Sequence, residues 1–249
     1  MYQIKTDMHV HSIYSNHAYS TIEENARYAN EQGMEAIGIT DHFGPIFLND
    51  VKEAIYHITN RVVIPDEVYG VRVYKGVEID IIDHKGNLAF YDMEHPVLPG
   101  IKVAEHVLSS CEFVIASVHQ NAQFQASNEI EHTQMYINAL LNPHVNMIGH
   151  SGRSGMTYDI DEVLKVAKEQ KKIIEINNHS FQLQGSDVCK KIALRCAELE
   201  VMIAVNSDAH FSHSIGKYEN ALHMLDEIHF PEKLIVNASR SRLESFLKK

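Results

Sequence analysis

The sequence predicts an α/β protein in which helices surround a parallel sheet. Apolar runs of strand length alternate with helix-length segments along the 249 residues, and helical crossovers keep successive strands parallel. Histidines or acidic residues follow six of the seven predicted strands. The carboxyl ends of parallel strands meet on one face, where closed α/β barrels carry their active sites. An α/β barrel fits these observations.

The first strand-helix-strand unit is predicted at the start of the chain. Residues 4–7 read as a strand, and the alternation of apolar residues with His9 and His11 continues it. The sequence Ser-Thr-Ile-Glu at residues 20–23 reads as a capping box and predicts a helix to about Gln32. The apolar run at residues 36–40 predicts a buried strand that ends at Asp41 and His42.

The remaining elements continue this alternation. Further strands are predicted at residues 71–79, 113–118, 145–149, 172–176 and 201–205. Helices are predicted at residues 50–61, 129–141, 161–170, 187–200, 220–227 and 240–248. Residues 81–99 contain a turn signal and are compatible with a hairpin or a lid. No linker, charge block or repeat marks a boundary, so we expect a single domain over residues 1–249.

Composition excludes several classes of protein. No apolar run approaches the roughly 18 residues of a membrane span, and the short stretch before His9 leaves no room for a signal peptide, so a cytoplasmic protein is expected. Cys111, Cys189 and Cys196 are expected to be reduced thiols. The net charge of -11 argues against nucleic-acid binding. Small anionic substrates fit, because a metal cluster can reverse the potential inside one pocket.

Candidate metal ligands stand at the predicted strand ends. The chain has 17 histidines, and two pairs of metal-competent residues, one at each end of the chain, are spaced two apart, which on an extended backbone places both side chains on one side. The candidates identified in this way are His9, His11, His42, Glu78, His119, His150, Asp208 and His210. Their convergence predicts a metal site at the mouth of the barrel.

In these motifs the sequence resembles the PHP (polymerase and histidinol phosphatase) family. The matching segments are, in order, His9-Val10-His11, Thr40-Asp41-His42, Gly76-Val77-Glu78, His119, His150 and Asn206-Ser207-Asp208-Ala209-His210. Two further segments, His17-Ala18-Tyr19-Ser20 and Glu175-Ile176-Asn177-Asn178, make the chain most similar to the stand-alone, YcdX-like phosphatase branch. The resemblance covers nearly the whole chain.

The resemblance implies a distorted, TIM-like barrel of seven strands with a trinuclear metal centre. By matching position, His9, His11, Glu78 and Asp208 would hold one ion. His17, His42 and His210 would hold a second ion, and His119 and His150 a third, with Glu78 bridging to the first. Imidazoles and carboxylates favour zinc, with manganese or iron as alternatives.

The expected activity is hydrolysis of small phosphomonoesters, histidinol phosphate among them, by a metal-dependent phosphatase. A metal-bridging hydroxide would attack phosphorus, and Asp208 would both bind metal and orient the hydroxide. His210 is a further candidate catalytic residue. Arg153 and Lys217 are candidates for a phosphate contact. His179, His213 or a metal-bound water would protonate the leaving group.

Other readings of the sequence remain open. A phosphodiesterase or nuclease of the polymerase-associated PHP type is one alternative, and a metal-binding module without turnover is another. Asp7 and Asp41 are expected to orient imidazoles rather than to bind metal. A homo-oligomer is compatible with the sequence.

Overall fold

A parallel sheet curled into a nearly closed barrel forms the centre of the computed structural model, which describes residues 2–119, 128–183 and 185–248. The strands in these ranges are β1 Thr6–Val10, β2 Ala36–Ile39, β3 His42–Phe43, β4 Glu67–Val68, β5 Val71–Asp80, β6 Phe113–Ser117, β7 Met147–Ile148, β8 Ile173–Asn177 and β9 Ile203–Asn206. Seven of them pair in parallel in the order β1-β2-β5-β6-β7-β8-β9, while β3 and β4 are short additions to β5. The predicted α/β barrel of seven strands is therefore confirmed.

Helices cover the outside of the barrel. In the described ranges they are α1 Ile22–Glu31, α2 Val51–Thr59, α3 Val103–Ser109, α4 Glu129–Leu141, α5 Ile160–Glu169, α6 Ser186–Leu199, α7 Glu219–Glu227 and α8 Arg240–Leu247. Side-chain caps start several of them, as Asn128 does for α4 and Asp159 for α5. None of the helices described combines the length and the apolar character needed to span a membrane.

An asparagine side chain helps to close the barrel between β1 and β9. Near the carboxyl ends, the His11 N–H donates to the carbonyl of Ala209 at 2.8 Å. Closer to the amino ends, the side-chain amide of Asn237 donates to the carbonyls of Thr6 and Val205, both at 2.7 Å, and its oxygen accepts from the Val205 N–H. Asn237 thus supplies hydrogen bonds that a continuous ladder would have made.

Most of the core lies between the barrel and its helices, and a second cluster fills the amino end of the barrel. The second cluster contains Met8, Ala36, Tyr74, Phe113, Ile115, Met147, Ile173, Ala204 and Val236, and α8 adds Leu243. Met8 belongs to this inner cluster but Val10 to the outer one, and the pairing of β1 with β2 shifts register between Asp7 and Val10. A bulge therefore interrupts the regular alternation expected for this strand.

One local prediction needs correction, one helix was missed, and one of two alternatives is favoured. The capping box of α1 uses Thr21 and Glu24, one residue later than predicted, because the Thr21 hydroxyl accepts from the Glu24 N–H. Helix α3 was not predicted as an element. The segment at residues 81–99 forms a turn bridged between Ile81 and Leu88, followed by irregular backbone, so the hairpin alternative is the nearer one.

Candidate metal centre

Glu78 lies at the centre of the predicted ligands, near the carboxyl end of β5. Its Oε2 atom is 3.2 Å from Nε2 of His9 and 2.9 Å from Nδ1 of His42. Its Oε1 atom is 2.9 Å from Nε2 of His150 and 3.3 Å from Nε2 of His119. One buried carboxylate therefore faces imidazoles from both sides of the cluster, which is the position of a bridging ligand.

Asp208 approaches the same cluster from the loop after β9. Its Oδ1 atom is 3.2 Å from Nε2 of His11 and 3.5 Å from Nε2 of His9. Its Oδ2 atom accepts hydrogen bonds from Arg153 Nη2 at 2.5 Å and from the Asn177 amide at 3.3 Å. One oxygen faces the imidazoles, and the other is neutralised by the guanidinium.

The polar atoms that face the centre of this cluster are buried and make no hydrogen bond to the described residues. They are Nε2 of His9, His11, His42, His119 and His210, Nδ1 of His42, Oε2 of Glu78 and Oδ1 of Asp208. Buried polar atoms without partners are costly, so a convergent group of them indicates a bound species. Nitrogen and carboxylate oxygen donors fit zinc, manganese or iron.

Eight of the nine predicted ligands fall into overlapping groups of three whose ligand atoms lie within 4.8 Å of one another. The groups are His9, His11 and Glu78; His9, His150 and Asp208; His11, His42 and His210; and His42, Glu78 and His119. His17 is the exception, because it is exposed and belongs to none of them. Its ring centroid is 4.5 Å from that of His210, so it stands beside the cluster.

Two carboxylates to which the sequence analysis gave no role, Glu175 and Asp80, accept hydrogen bonds from imidazoles on the outer side of the cluster. Nδ1 of His9 donates to Glu175 Oε1 at 2.7 Å, and Nδ1 of His119 donates to Asp80 Oδ1 at the same distance. Such partners fix the tautomer and orientation of a ligating ring. A signal was present in the sequence, since Glu175 interrupts the apolar run Ile173-Ile174-Glu175-Ile176.

The prediction that Asp7 orients an imidazole is wrong. Its carboxylate instead accepts from the Ser207 N–H at 3.2 Å, from the Ser207 hydroxyl at 2.6 Å and from the Gly216 N–H at 3.4 Å. Asp208, which follows Ser207 in the chain, has a left-handed backbone with φ of 57°, a conformation unusual outside glycine. Asp7 therefore holds the loop that presents Asp208.

Asp41 reaches the cluster through an intermediate. Its Oδ1 atom accepts from the Ser15 hydroxyl at 2.7 Å, and Ser15 in turn lies 3.0 Å from Nδ1 of His11. Burial raises the pKa of Asp41, but Arg61, His57, His11 and Ser15 together outweigh burial and hold the pKa below its usual range. The carboxylate is thus ionised at neutral pH.

Burial keeps three of the predicted ligands neutral. It lowers the pKa of His11 to about 4, of His42 to about 3 and of His150 to about 4, and the neutral imidazole is the form that binds metal. His119 differs, because burial is outweighed by Glu78 and Asp80, which raise its pKa to about 10. Metal binding at His119 would therefore release a proton.

Three of the four residues predicted to contact phosphate or to donate a proton line a pocket of about 590 Å³ above the cluster. Arg153, His179 and Lys217 all reach it. Some of the N–H donors of Arg153 are already used, because its guanidinium donates to Asn177 Oδ1 at 3.0 Å as well as to Asp208. His213 instead packs its ring against Tyr28 and is not part of the described pocket lining.

Known proteins of similar sequence cover almost the whole chain. A probable phosphatase of Caldanaerobacter subterraneus subsp. tengcongensis is 40% identical over 246 residues, which cover 97% of this chain and 90% of the relative. A probable phosphatase of Acetivibrio thermocellus is 38% identical over 245 residues, covering 98% and 95% of the two chains. These relatives indicate the enzyme class expected from the sequence, a hydrolase of phosphoric esters.

Solved structures share the fold at low identity. A histidinol phosphate phosphatase from Lactococcus lactis, complexed with zinc, L-histidinol and phosphate, matches with a TM-score of 0.61 and 19% identity over 91% of this chain and 94% of its own. A chain in archaeal ribonuclease P with mature tRNA matches with a TM-score of 0.59 and 13% identity over 98% and 90%.

The family model named PHP domain matches residues 7–184, a range that holds seven of the nine predicted ligands. The other two, Asp208 and His210, lie beyond this range in the loop after β9 and belong to the same cluster. This chain belongs to the PHP family.

Proposed function

We propose that this protein is a metal-dependent phosphatase that hydrolyses small phosphomonoesters at a centre of three divalent ions. Zinc is the first choice, with manganese or iron as alternatives. The observation that carries the proposal is the set of buried nitrogen and oxygen atoms that face one another without hydrogen-bond partners. The predicted ligands His9, His11, His17, His42, Glu78, His119, His150, Asp208 and His210 would hold the ions.

The overlap of the donor groups supports a centre with more than one ion. Four overlapping groups share ligands at Glu78, His9, His11 and His42, which is more capacity than one tetrahedral ion can use. Glu78 offers one oxygen to each side of the cluster. His17 would complete the site that His42 and His210 begin, since its ring already lies beside both.

Bound ions would supply a nucleophilic water near neutral pH and neutralise the phosphoryl oxygens. The chain's own residues would position the reactants. Asp208 accepts from Arg153, and the guanidinium has further N–H donors with which to hold a phosphate oxygen. His210 faces the pocket from the same loop as Asp208.

His179 is the candidate for handling the leaving-group proton. It lines the pocket and is half-buried, and burial lowers its pKa. A neutral imidazole at pH 7 suits proton acceptance from a water better than direct donation. His179 would therefore accept the proton that the attacking water loses and pass it to the oxygen of the leaving group.

The pocket favours a small anionic ester. Its volume is that of a small-molecule site, and Asp208 is the one acid among the described lining residues, while Arg153 and Lys217 add positive charge. Two cations are too few to bind a long polyanionic strand tightly. Histidinol phosphate is one candidate, because the Lactococcus lactis protein of the same fold is named for it.

The test compares p-nitrophenyl phosphate with bis(p-nitrophenyl) phosphate, each with added zinc or manganese and after chelation. We expect monoester hydrolysis that chelation abolishes and metal restores. Histidinol phosphate and sugar phosphates then rank the substrates.

Two outcomes would overturn the proposal. Faster cleavage of the diester would favour a phosphodiesterase or nuclease. No turnover of either ester by metal-loaded protein would favour a metal-binding module without catalysis. Metal content determined on the same samples separates a failed assay from failed loading.

A further inference from the structure

On the outer side of His11 a serine hydroxyl lies between the imidazole and a carboxylate, and in this His11 differs from His9 and His119. His9 and His119 each contact a carboxylate directly. His11 contacts the hydroxyl of Ser15, and Asp41 and Arg61 stand behind that hydroxyl. We call these three residues the Ser15–Asp41–Arg61 network.

Hydrogen-bond donors and acceptors fix the direction of the contact with His11. A carboxylate accepts only, so the Ser15 hydroxyl must donate its single proton to Asp41 at 2.7 Å. The two lone pairs of Ser15 then accept, one from the backbone N–H of His42 at 3.1 Å and one from Nδ1 of His11 at 3.0 Å. Nδ1 of His11 must therefore carry a proton, which leaves Nε2 bare.

The bare Nε2 of His11 is the atom that faces the cluster. It lies 3.2 Å from Asp208 Oδ1 and 3.5 Å from Glu78 Oε2, and it has no hydrogen-bond partner among the described residues. The opposite tautomer would direct an N–H at a bound cation. The choice of tautomer at Nδ1 thus decides whether His11 can be a ligand.

Arg61 fixes the carboxylate on which this direction depends. It is 2% exposed and donates to the carbonyls of Ile39 and Gly76, at 3.0 and 2.7 Å, as well as to Asp41. Buried ion pairs contribute little net stability, because desolvation offsets their attraction. Stability alone therefore gives no reason for a buried Arg61–Asp41 pair here.

We infer that the Ser15–Asp41–Arg61 network is a positioning device that locks His11 in the Nδ1–H tautomer and aims Nε2 at a metal ion. The inference rests on the metal centre of the proposed function. It assigns no residue of the network to the reaction itself.

Ser12 provides a matched control. Its hydroxyl also donates to Asp41, at 2.8 Å, from the same loop, but Ser15 is the one of the two that contacts the His11 imidazole. Ser15→Ala and Ser12→Ala remove the same group from the same carboxylate. Asp41→Asn is a second way to disturb the tautomer of His11. The asparagine amide can donate to Ser15 and so turn the hydroxyl proton toward Nδ1 of His11.

The experiment measures zinc affinity by competition with a chelator and records the tautomer of His11 by long-range ¹H–¹⁵N NMR of zinc-loaded protein. We expect Ser15→Ala and Asp41→Asn to weaken one zinc by about 10- to 100-fold, and Ser12→Ala to stay within about threefold of wild type. The wild-type spectrum should show His11 protonated at Nδ1.

Equal losses in Ser12→Ala and Ser15→Ala, or a His11 protonated at Nε2, would overturn the inference. If Ser15→Ala does not fold, Asp41→Asn against Ser12→Ala decides, because both keep Ser15. A wild type that binds zinc but hydrolyses no ester would remove the proposed function and leave this inference to be judged on zinc affinity.

Discussion

The two ends of the barrel differ in composition although the same strands build both. On β6 the inward residues pass from Phe113 and Ile115 to Ser117, which donates to Glu78 at 2.6 Å. On β8 they pass from Ile173 to Glu175 and Asn177, both of which hydrogen-bond within the cluster. The amino end is thus an apolar core, and the carboxyl end collects buried polar atoms.

This difference separates the source of stability from the source of activity. Apolar burial at the amino end stabilises the fold through the hydrophobic effect. The carboxyl end concentrates unpartnered buried atoms, and it includes two non-glycine residues with positive φ, His150 at 25° and Asp208 at 57°. Both features are costly, and function is a common reason for them. Substitutions at the two ends should therefore have different consequences.

The largest effect is expected from loss of a ligand at the carboxyl end. Asp208→Ala or His42→Ala should leave a folded protein with hydrolysis reduced on the order of 100-fold or more, because even an outer partner of a ligand contributes about 10- to 100-fold. Steady-state kinetics and circular dichroism measure the two quantities. His223→Ala is the control, since that imidazole is 76% exposed on α7. Near-normal turnover in either ligand variant would show that its assignment is wrong.

The opposite result is expected at the amino end. Phe113 is fully buried in the inner cluster, so Phe113→Ala should lower the free energy of unfolding by about 3–5 kcal/mol. Zinc stoichiometry and turnover of the folded fraction should persist. Urea denaturation measures the loss of stability, and Leu141→Ala is the control, because the Leu141 side chain is half-exposed at the end of α4. Loss of metal without loss of stability would contradict the separation of the two ends.

A Glu175 variant tests the boundary between the two ends of the barrel, because on β8 the inward residues change from apolar to polar at Glu175. Glu175→Gln keeps an oxygen for His9 Nδ1 but removes the charge, so zinc affinity should fall by about 10- to 100-fold. Asp80→Asn makes the same change behind His119 and should affect a different ion. Competition with a chelator measures the zinc affinity of each variant and shows whether different ions are affected. An unchanged affinity in both variants would limit these carboxylates to a structural role.

The smallest effect is expected at the exposed edge of the pocket, where Lys217 lies and where no buried polar atom or strained backbone is involved. Lys217→Ala should raise KM about two- to fivefold at low salt without changing kcat, which corresponds to the energy of an exposed ion pair. The difference should vanish at high ionic strength. Lys165→Ala, an exposed lysine of α5, is the control. A fall in kcat would instead place Lys217 close to the reacting phosphate.

The sequence by itself determined the barrel strands and nearly all of the candidate ligands. Both depend on local patterns, since apolar runs mark strands and the residues that follow them must meet on one face. Glu78 illustrates the point, because its place at the end of a predicted strand sufficed to bring it opposite His150, 72 residues away. The exact residue at which a helix begins was harder to predict, as the shift of the α1 cap to Thr21 shows.

Only the tertiary structure decided which residues form hydrogen bonds to the outer side of the candidate ligands. Asp7 bonds Ser207, 200 residues away, and not an imidazole, while Glu175 reaches His9 across 166 residues. Such pairings depend on side-chain directions at the barrel interior, including the bulge in β1, and no local period encodes them. The residues at strand ends follow from the order of the strands, whereas their hydrogen-bond partners follow from packing in three dimensions.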